Sequence, residues 1–373
     1  MTYPELVRRA AQEALAQANM DLGEIEAVVV AMAPSEFIGV NDPEKWVVEA
    51  LGAQGKPLLR VHTGGATGGS AAQAGYFHVA SGLYNAVLVV GADKVGETPD
   101  AQLVLNTIWD PIYEKDFALN AITMTAFQAA RHMHKYGTTE RQMALVAVRS
   151  RANATRNPYA HLKGRITVEE VLKSRLIAWP LKLYDCCPRS SGGAAVVVVN
   201  ERLARERCSR PAWITGVGAV ANTVFIGDRM GPRANTDYGD WDELAMAARQ
   251  AYDMAGIKDP AREITVAEIY APFTSTEIAA VEALGFCPKG RGGPMNEEGM
   301  FEMDGALPVN PSGGTLCANP IAVTALVRVC DAALQVMGRA GDYQVKGVRH
   351  AVATGIGGSL QFHTCMVLSS DYR

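Results

Sequence analysis

The sequence predicts an α/β fold with a largely parallel sheet, built as two related halves. Three observations predict it. Short apolar, β-branched runs alternate with segments of helical periodicity. A second alternating series follows the first without a long linker. Local patterns recur between the two series in the same order.

The elements follow in chain order. Residues 6–18 carry apolar side chains at helical spacing. Residues 25–32 (IEAVVVAM) read as a buried strand. Residues 45–51 read as helix. Residues 57–62 read as a strand that ends in a glycine-rich turn. Residues 70–81 form a helix of small side chains, and 85–91 (NAVLVVG) a further buried strand. Residues 95 to 185 break the alternation. They hold helices at 121–136 and 140–153 among polar loops, an insertion able to cover a site. Residues 193–199 (GAAVVVV) return to buried strand.

The second series runs strand 212–220, helix 241–255, strand 264–270 and helix 275–284. A glycine-rich loop reaches Leu307, with a strand around Val309, a helix at 320–337, and strands at 350–354 and 363–368. The echo between the series lies in IEAVVVAMAPS (25–35) against VAEIYAPFTS (266–275), and in LRVHTGG (59–65) against LPVNPSGG (307–314). The expected halves are therefore 1–205, with the insertion at about 95–185, and 206–373.

Composition narrows the function. The 373 residues include 35 basic and 39 acidic side chains, a net charge of -4. That balance leaves no electrostatic footprint for nucleic acid or an anionic membrane. The basic stretch from Arg149 to Arg156 reads as a solvated helix face. No apolar run approaches the roughly 20 residues of a membrane helix. The first residues lack a basic region followed by an apolar core, so a soluble cytoplasmic protein is expected. All seven cysteines lie at Cys186 or later, with no zinc-ribbon spacing. They read as buried reduced thiols, and no metal site is predicted.

Several residues could carry chemistry. The turn from Gly64 to Gly69 joins a strand to a helix, where backbone N–H groups attract oxyanions. It matches neither the dinucleotide fingerprint nor a phosphate loop. Tyr270 ends a buried strand, where open α/β sheets place ligands. Its phenol can donate a proton, and serves as a base only if its pKa is lowered. Cys317 and Asn319 sit in NPSGGTLCANP (310–320), just before a helix whose N-terminus could lower a thiol pKa. Gly357 and Gly358 lie in a further glycine turn. His62 stands between a strand and the first glycine turn. Each has a plain alternative: a tight turn, a packed tyrosine, a buried thiol. His132 and His134 are two apart on a helix, face different ways and read as structural.

At this point a resemblance enters. Residues 61–94 (VHTGGATGGSAAQAGYFHVASGLYNAVLVVGADK) resemble the nucleophile strand–turn–helix–strand of the thiolase superfamily. Residues 132–188 resemble the loop domain of its sterol-carrier-protein thiolase branch. Residues 268–285 (EIYAPFTSTEIAAVEALG) and 310–314 (NPSGG) resemble its second half. The resemblance spans nearly the whole chain. It implies a thiolase fold: two pseudo-repeated halves in a layered αβαβα core, with an inserted loop domain, assembled as a homodimer.

Four positions depart from a working thiolase. Gly65 stands where that family places its nucleophilic cysteine, and Tyr270 where it places a histidine. Asn319 replaces the histidine of Gly-His-Pro, and Gly355 replaces the second cysteine. No cysteine precedes Cys186, so a thioester nucleophile at the first turn is excluded. The Val-His-Thr-Gly-Gly turn resembles the thiolase-like lipid-transfer proteins, some of which are aldolases acting on steroid side chains as coenzyme A thioesters. This resemblance implies retro-aldol cleavage of a β-hydroxyacyl-CoA without a covalent acyl-enzyme. No cofactor is implied beyond the coenzyme A of the substrate. The enolate would be held by N–H donors of the Gly65 and Gly357–Gly358 turns. Tyr270 matches one of two tyrosine positions in such aldolases. Asn319 stands at the other and cannot transfer a proton. Two alternatives remain: an acyltransferase with Cys317 as relocated nucleophile, and a non-catalytic acyl-CoA or lipid carrier. The aldolases typically work with a small zinc-ribbon and OB-fold partner, here expected as a separate subunit. One more departure concerns the first half. Thiolase halves open with a central strand, as 212–220 does, yet the first half opens directly on its helix.

Overall fold

The computed structural model describes every residue except Asn235 and Arg373. Helix α1 (Tyr3–Ala18) starts at a capping box of Thr2 and Glu5 and ends where Asn19 turns left-handed. Its buried stripe, Tyr3, Val7, Ala11 and Leu15, recurs every four residues and covers the first sheet. Strands β1 (Ala27–Ala31) and β2 (Leu58–Val61) follow, then α2 (Thr67–Ala80) and β3 (Ala86–Asp93). β1 and β3 are buried at every position, which explains their continuous apolar runs. The expected helix at 45–51 is instead a 3-10 turn at Pro43–Val47. Too few residues lie between Pro43 and Gly52 to propagate an α-helix.

The insertion holds α3 (Ala101–Asn106), α4 (Ala121–Tyr136), α5 (Glu140–Ala154), α6 (Val168–Lys173) and a small hairpin of β4 (Leu176–Ala178) with β5 (Leu181–Lys182). The chain then returns through β6 (Gly192–Val199) and α7 (Glu201–Arg207). Arg149, expected on a solvated face, is buried. Its guanidinium pairs with Glu277 and Asn296, because the insertion closes over the second half and turns that face of α5 inward.

The second half comprises β7 (Trp213–Ala221), α8 (Asp242–Ala255), α9 (Pro260–Glu263), β8 (Val266–Glu268), α10 (Thr274–Ala283), α11 (Gly292–Glu297), α12 (Ile321–Met337), β9 (His350–Gly357) and β10 (Phe362–Ser369). The strand expected around Val309 shrinks to one parallel bridge with Ala267. Pro308 and Pro311 have no N–H to give a ladder, and Asn310 between them is left-handed (φ 51).

The first sheet has the order β2-β1-β3-β6, the second β7-β10-β9-β8. β1 runs parallel to β2 and β3, and β6 antiparallel to β3 with Val89 opposite Val196. In the second sheet β8 is parallel to β9, and β10 is antiparallel to both β9 and β7. Helices α2 and α12 pack on each other between the two sheets. α1 covers the outside of the first sheet and α8 the outside of the second. The result is the five-layered αβαβα core that the resemblance implied. Among the described residues no helix is long and apolar enough to cross a membrane.

Candidate active site

The strands of both sheets end at the two central helices, and the candidate residues gather there. Thr67, at the start of α2, locks the first glycine turn. Its hydroxyl accepts from the Thr63 N–H at 2.9 Å and donates to the Gly64 carbonyl at 2.6 Å. Gly65 then faces the second half. A Cβ at Gly65 would lie 2.4 Å from the Ile356 carbonyl oxygen and 3.1 Å from the Tyr270 hydroxyl. A side chain does not fit without backbone movement. Gly357 is as tightly placed: a Cβ there would lie 2.1 Å from the Thr63 carbonyl and 3.0 Å from the Gly65 nitrogen. Gly358 continues this contact, its nitrogen lying against Gly64. The two glycine turns, some 290 residues apart in sequence, thus touch.

Tyr270 lies two residues beyond β8 and is buried. Its N–H donates to Thr354 Oγ1 at 2.9 Å, which ties it to β9. Its hydroxyl lies 3.2 Å from both Asn319 Oδ1 and the Ile321 carbonyl, the acceptors of its proton. Burial, reinforced by Cys187, pushes the phenol far above its ordinary range. Tyr270 is therefore a neutral donor at physiological pH, and not a resting base.

Asn319 is oriented from every side. Its Oδ1 accepts from Thr324 Oγ1 at 2.8 Å as well as from Tyr270. Its Nδ2 lies 3.1 Å from Cys187 Sγ, and its N–H donates to Ser190 Oγ at 3.0 Å. Ser190 is in turn bonded to His161 Nδ1. The amide oxygen is thus fixed toward the phenol, so Asn319 positions Tyr270 in this geometry.

Cys317 is fully buried, and burial pushes its thiol up to about 12. The lowering expected from the nearby helix N-terminus does not occur, because desolvation of a buried thiolate outweighs it. Three residues separate Cys317 from the start of α12. His62 lies just past β2 and is exposed. Among the described residues no hydrogen bond links it to Tyr270 or Asn319.

Three participants were not legible in the sequence. Cys187 touches Asn319, and Thr324 shares its amide oxygen. Asp93, the last residue of β3, is fully buried. Its carboxylate accepts from the Lys94 N–H at 2.9 Å and the Ala322 N–H at 3.3 Å. The Ile321 carbonyl that receives the Tyr270 hydroxyl belongs to the same peptide group as that Ala322 N–H. Tyr270 and Asp93 therefore hold opposite ends of one peptide plane. Burial pushes the Asp93 carboxyl up to about 7. The available signal was an acid closing an otherwise apolar strand at its C-terminal end.

The NPSGG turn is held from beneath. Glu268 accepts from the Ser312 N–H and hydroxyl at 3.1 and 2.7 Å and pairs with Arg328 at 2.5 Å. Arg328 also reaches Asp331 at 2.9 Å. These buried groups set the loop that carries Cys317 and Asn319 to the site.

Comparison with known proteins now assigns the fold. Residues 1–202 match the family model described as thiolase, N-terminal domain, and residues 233–370 match thiolase C-terminal domain-like. The chain belongs to the thiolase superfamily. This thiolase-superfamily chain is 32% identical to the acetyl-CoA acetyltransferase of Methanothermobacter thermautotrophicus, over 96% of this chain and 92% of that protein. It is 27% identical to sterol carrier protein 2 of Bos taurus, over 96% of this chain and 67% of the relative. Among solved structures, the Ltp2-ChsH2(DUF35) aldolase aligns with a TM-score of 0.83 at 27% identity, covering 100% of this chain and 94% of that one. Within the superfamily the chain falls on the branch like sterol carrier protein 2.

Proposed function

We propose that this chain is a carbon–carbon lyase that cleaves a β-hydroxyacyl-CoA by a retro-aldol reaction, without a covalent acyl-enzyme. The observation that carries the reading is the pairing of Gly65 with Tyr270. Where a nucleophilic side chain would stand, the Gly65 backbone lies directly against a protonated phenol, whose oxygen a Cβ there would approach to 3.1 Å. The fold likeness to the Ltp2-ChsH2(DUF35) aldolase supports the same reading.

The chemistry is balanced. The β-hydroxyl proton passes to a solvent water, the Cα–Cβ bond breaks as the carbonyl forms at Cβ, and the released electron pair passes to the thioester as an enolate. The released carbonyl compound keeps Cβ. The Tyr270 hydroxyl then delivers its proton to Cα, and the proton carried by that water restores the phenol, so atoms and charge balance. The glycine turns at Gly65 and Gly357–Gly358 bring backbone N–H groups near the developing enolate oxygen, where fixed donors act most strongly. Asn319 holds the phenol in line. His62, being exposed, is assigned to the approach and not to the proton path.

An acyl-CoA substrate accords with the acetyl-CoA acetyltransferase relative. An acyl transfer reaction is disfavoured because Cys317, its candidate nucleophile, is buried and protonated. We further propose a homodimer with a separate small partner. The aldolase it resembles is itself named as a pair, which supports the partner.

The test is direct. Branched β-hydroxyacyl-CoAs are incubated with the purified chain, with and without a zinc-ribbon and OB-fold subunit, and released ketone or aldehyde is read by mass spectrometry. Tyr270→Phe is expected to lower turnover by about 10²–10⁴-fold while the protein stays folded. Ligand-dependent stabilisation without any released carbonyl compound would sink the lyase reading in favour of a carrier.

A further inference from the structure

Arg229 is buried, yet among the described residues no carboxylate pairs with its guanidinium. A buried cation without a counter-ion is costly, and folded proteins rarely keep one. Arg229 ends the short turn Ile226–Arg229. Its Nη1 donates to the Leu360 carbonyl at 2.8 Å. Its Nη2 donates to the Ser359 carbonyl at 2.5 Å and to Ser359 Oγ at 3.0 Å. The Tyr238 ring covers the guanidinium, its centroid 5.4 Å away, and Nε is left without a partner. Every hydrogen bond of this side chain among the described residues thus ends on Ser359 and Leu360, which directly follow the Gly357–Gly358 turn.

Those two residues shape the turn. Leu360 is left-handed (φ 60), a conformation that residues with a side chain rarely adopt. Its carbonyl is held twice, since His363 Nε2 also donates to it at 3.2 Å. Burial, reinforced by Arg229, pushes the His363 imidazole down to about 3, so it stays neutral. The fold-back at Leu360 lets the Gln361 N–H donate to the Gly357 carbonyl at 3.0 Å. That carbonyl and the Gly358 N–H belong to one peptide group, and a bond at the carbonyl end strengthens the donor at the other. The tolerance around this peptide is small. A Cβ at Gly64 would lie 2.9 Å from the Gly358 nitrogen, and one at Gly357 would lie 3.0 Å from the Gly65 nitrogen. A shift of residues 357–360 therefore moves one glycine turn against the other.

We propose that Arg229 is a positioning residue for the thioester oxygen: its grip on the Ser359 and Leu360 carbonyls keeps the N–H groups of the Gly357–Gly358 turn aligned with those of the Gly65 turn. Arginine suits the task because its planar fork reaches two carbonyls at once, whereas a lysine ammonium offers a single point of charge. The inference rests on the reading that these turns hold the thioester oxygen of an acyl-CoA. It needs no carbon–carbon cleavage, so binding tests it apart from turnover.

The experiment compares the wild-type chain with Arg229→Lys and Ser359→Ala. Acetyl-CoA labelled with ¹³C at its carbonyl is the binding probe, and kcat and KM are measured on the β-hydroxyacyl-CoA panel. Donors on the thioester oxygen should shift the carbonyl resonance of the bound probe downfield in the wild type, and Arg229→Lys should lose most of that shift. Its kcat should fall by about 10–100-fold, short of the 10²–10³-fold for outright loss of a donor, with KM little changed. Ser359→Ala removes one bond of three and should lower kcat by about 2–10-fold; it carries the test should Arg229→Lys fail to fold. A folded Arg229→Lys that keeps the carbonyl shift and kcat overturns the proposal, whatever its Tm, and leaves Arg229 a brace of the fold. So does a wild-type probe whose resonance does not move on binding. Absence of turnover in the wild type, with the carbonyl shift present there and lost in Arg229→Lys, sinks the lyase reading and supports the role of Arg229.

Discussion

Restoring a side chain at Gly65 tests the site most sharply. A Cβ there lies 2.4 Å from the Ile356 carbonyl oxygen, and the Tyr270 ring carbon Cε1 is a further neighbour at 3.4 Å. The obstructing atom is backbone in strand β9, where Ile356 is paired with His363 of β10, so it cannot rotate aside as a flexible side chain would. Tolerable contact requires a retreat of more than about half an ångström, and overpacking on this scale costs about 1–3 kcal/mol. With an unfolding entropy of about 2 cal/mol/K per residue, a chain of 373 residues should lose about 1–4 °C in Tm. Gly65→Ala and Gly65→Cys should both show that loss by calorimetry. Gly65→Cys should not gain thiolase activity, because Tyr270 and Asn319 stand where that chemistry needs histidines. Turnover of β-hydroxyacyl-CoA should fall with either variant, since the new methyl or thiol crowds the Tyr270 hydroxyl, 3.1 Å from the added Cβ. A Gly65→Cys protein of unchanged Tm that forms an acyl-enzyme with acetyl-CoA would refute the reasoning.

Further outcomes follow from the buried groups. The folded protein raises the Asp93 carboxyl from 3.8 to about 7, so it binds more protons than the unfolded chain between those values. The stability Asp93 contributes is full below about pH 4 and is lost as pH rises through 7. Asp93→Asn should remove on the order of 2–4 kcal/mol of that pH dependence, measured by urea titrations from pH 4 to 8; an unaltered slope would count against the assignment. Arg328→Met strips the partner from the buried Glu268 and Asp331 carboxylates and should cost about 3–5 kcal/mol. Pairing it with Glu268→Gln should recover part of the loss, and full additivity of the two losses would exclude the coupling. Burial pushes the Cys317 and Cys187 thiols up to about 12 and about 11. Iodoacetamide at neutral pH should therefore label them at least about 100-fold more slowly in the native protein than in urea. Rapid labelling of Cys317 that acyl-CoA blocks would revive the acyltransferase reading.

Much of the architecture was legible because burial imposes a one-dimensional signature. β1 and β3 are covered on both faces, and their sequences are unbroken apolar runs. The repeated Ala-Pro and Gly-Gly endings marked the ends of equivalent strands. Element ends and exposure were less legible. Residues 45–51 have helical spacing but no length in which to propagate a helix. Arg149 reads as solvent-facing in its own helix and is buried only because Glu277, 128 residues away, lies opposite.

The sequence by itself determined the fold family, a first glycine turn with no cysteine before Cys186, and the presence of a phenol at the end of β8. These depend on residue identity and local spacing, which the chain carries directly. Only the tertiary structure decided that Tyr270 faces Gly65, that Asn319 orients the phenol, and that Cys317 is sealed away. It alone revealed Asp93, whose partner Ala322 is 229 residues distant. Such relations arise where two sheets and two central helices meet. Burial there sets protonation, and long-range contact sets geometry, so neither can be read from any one segment.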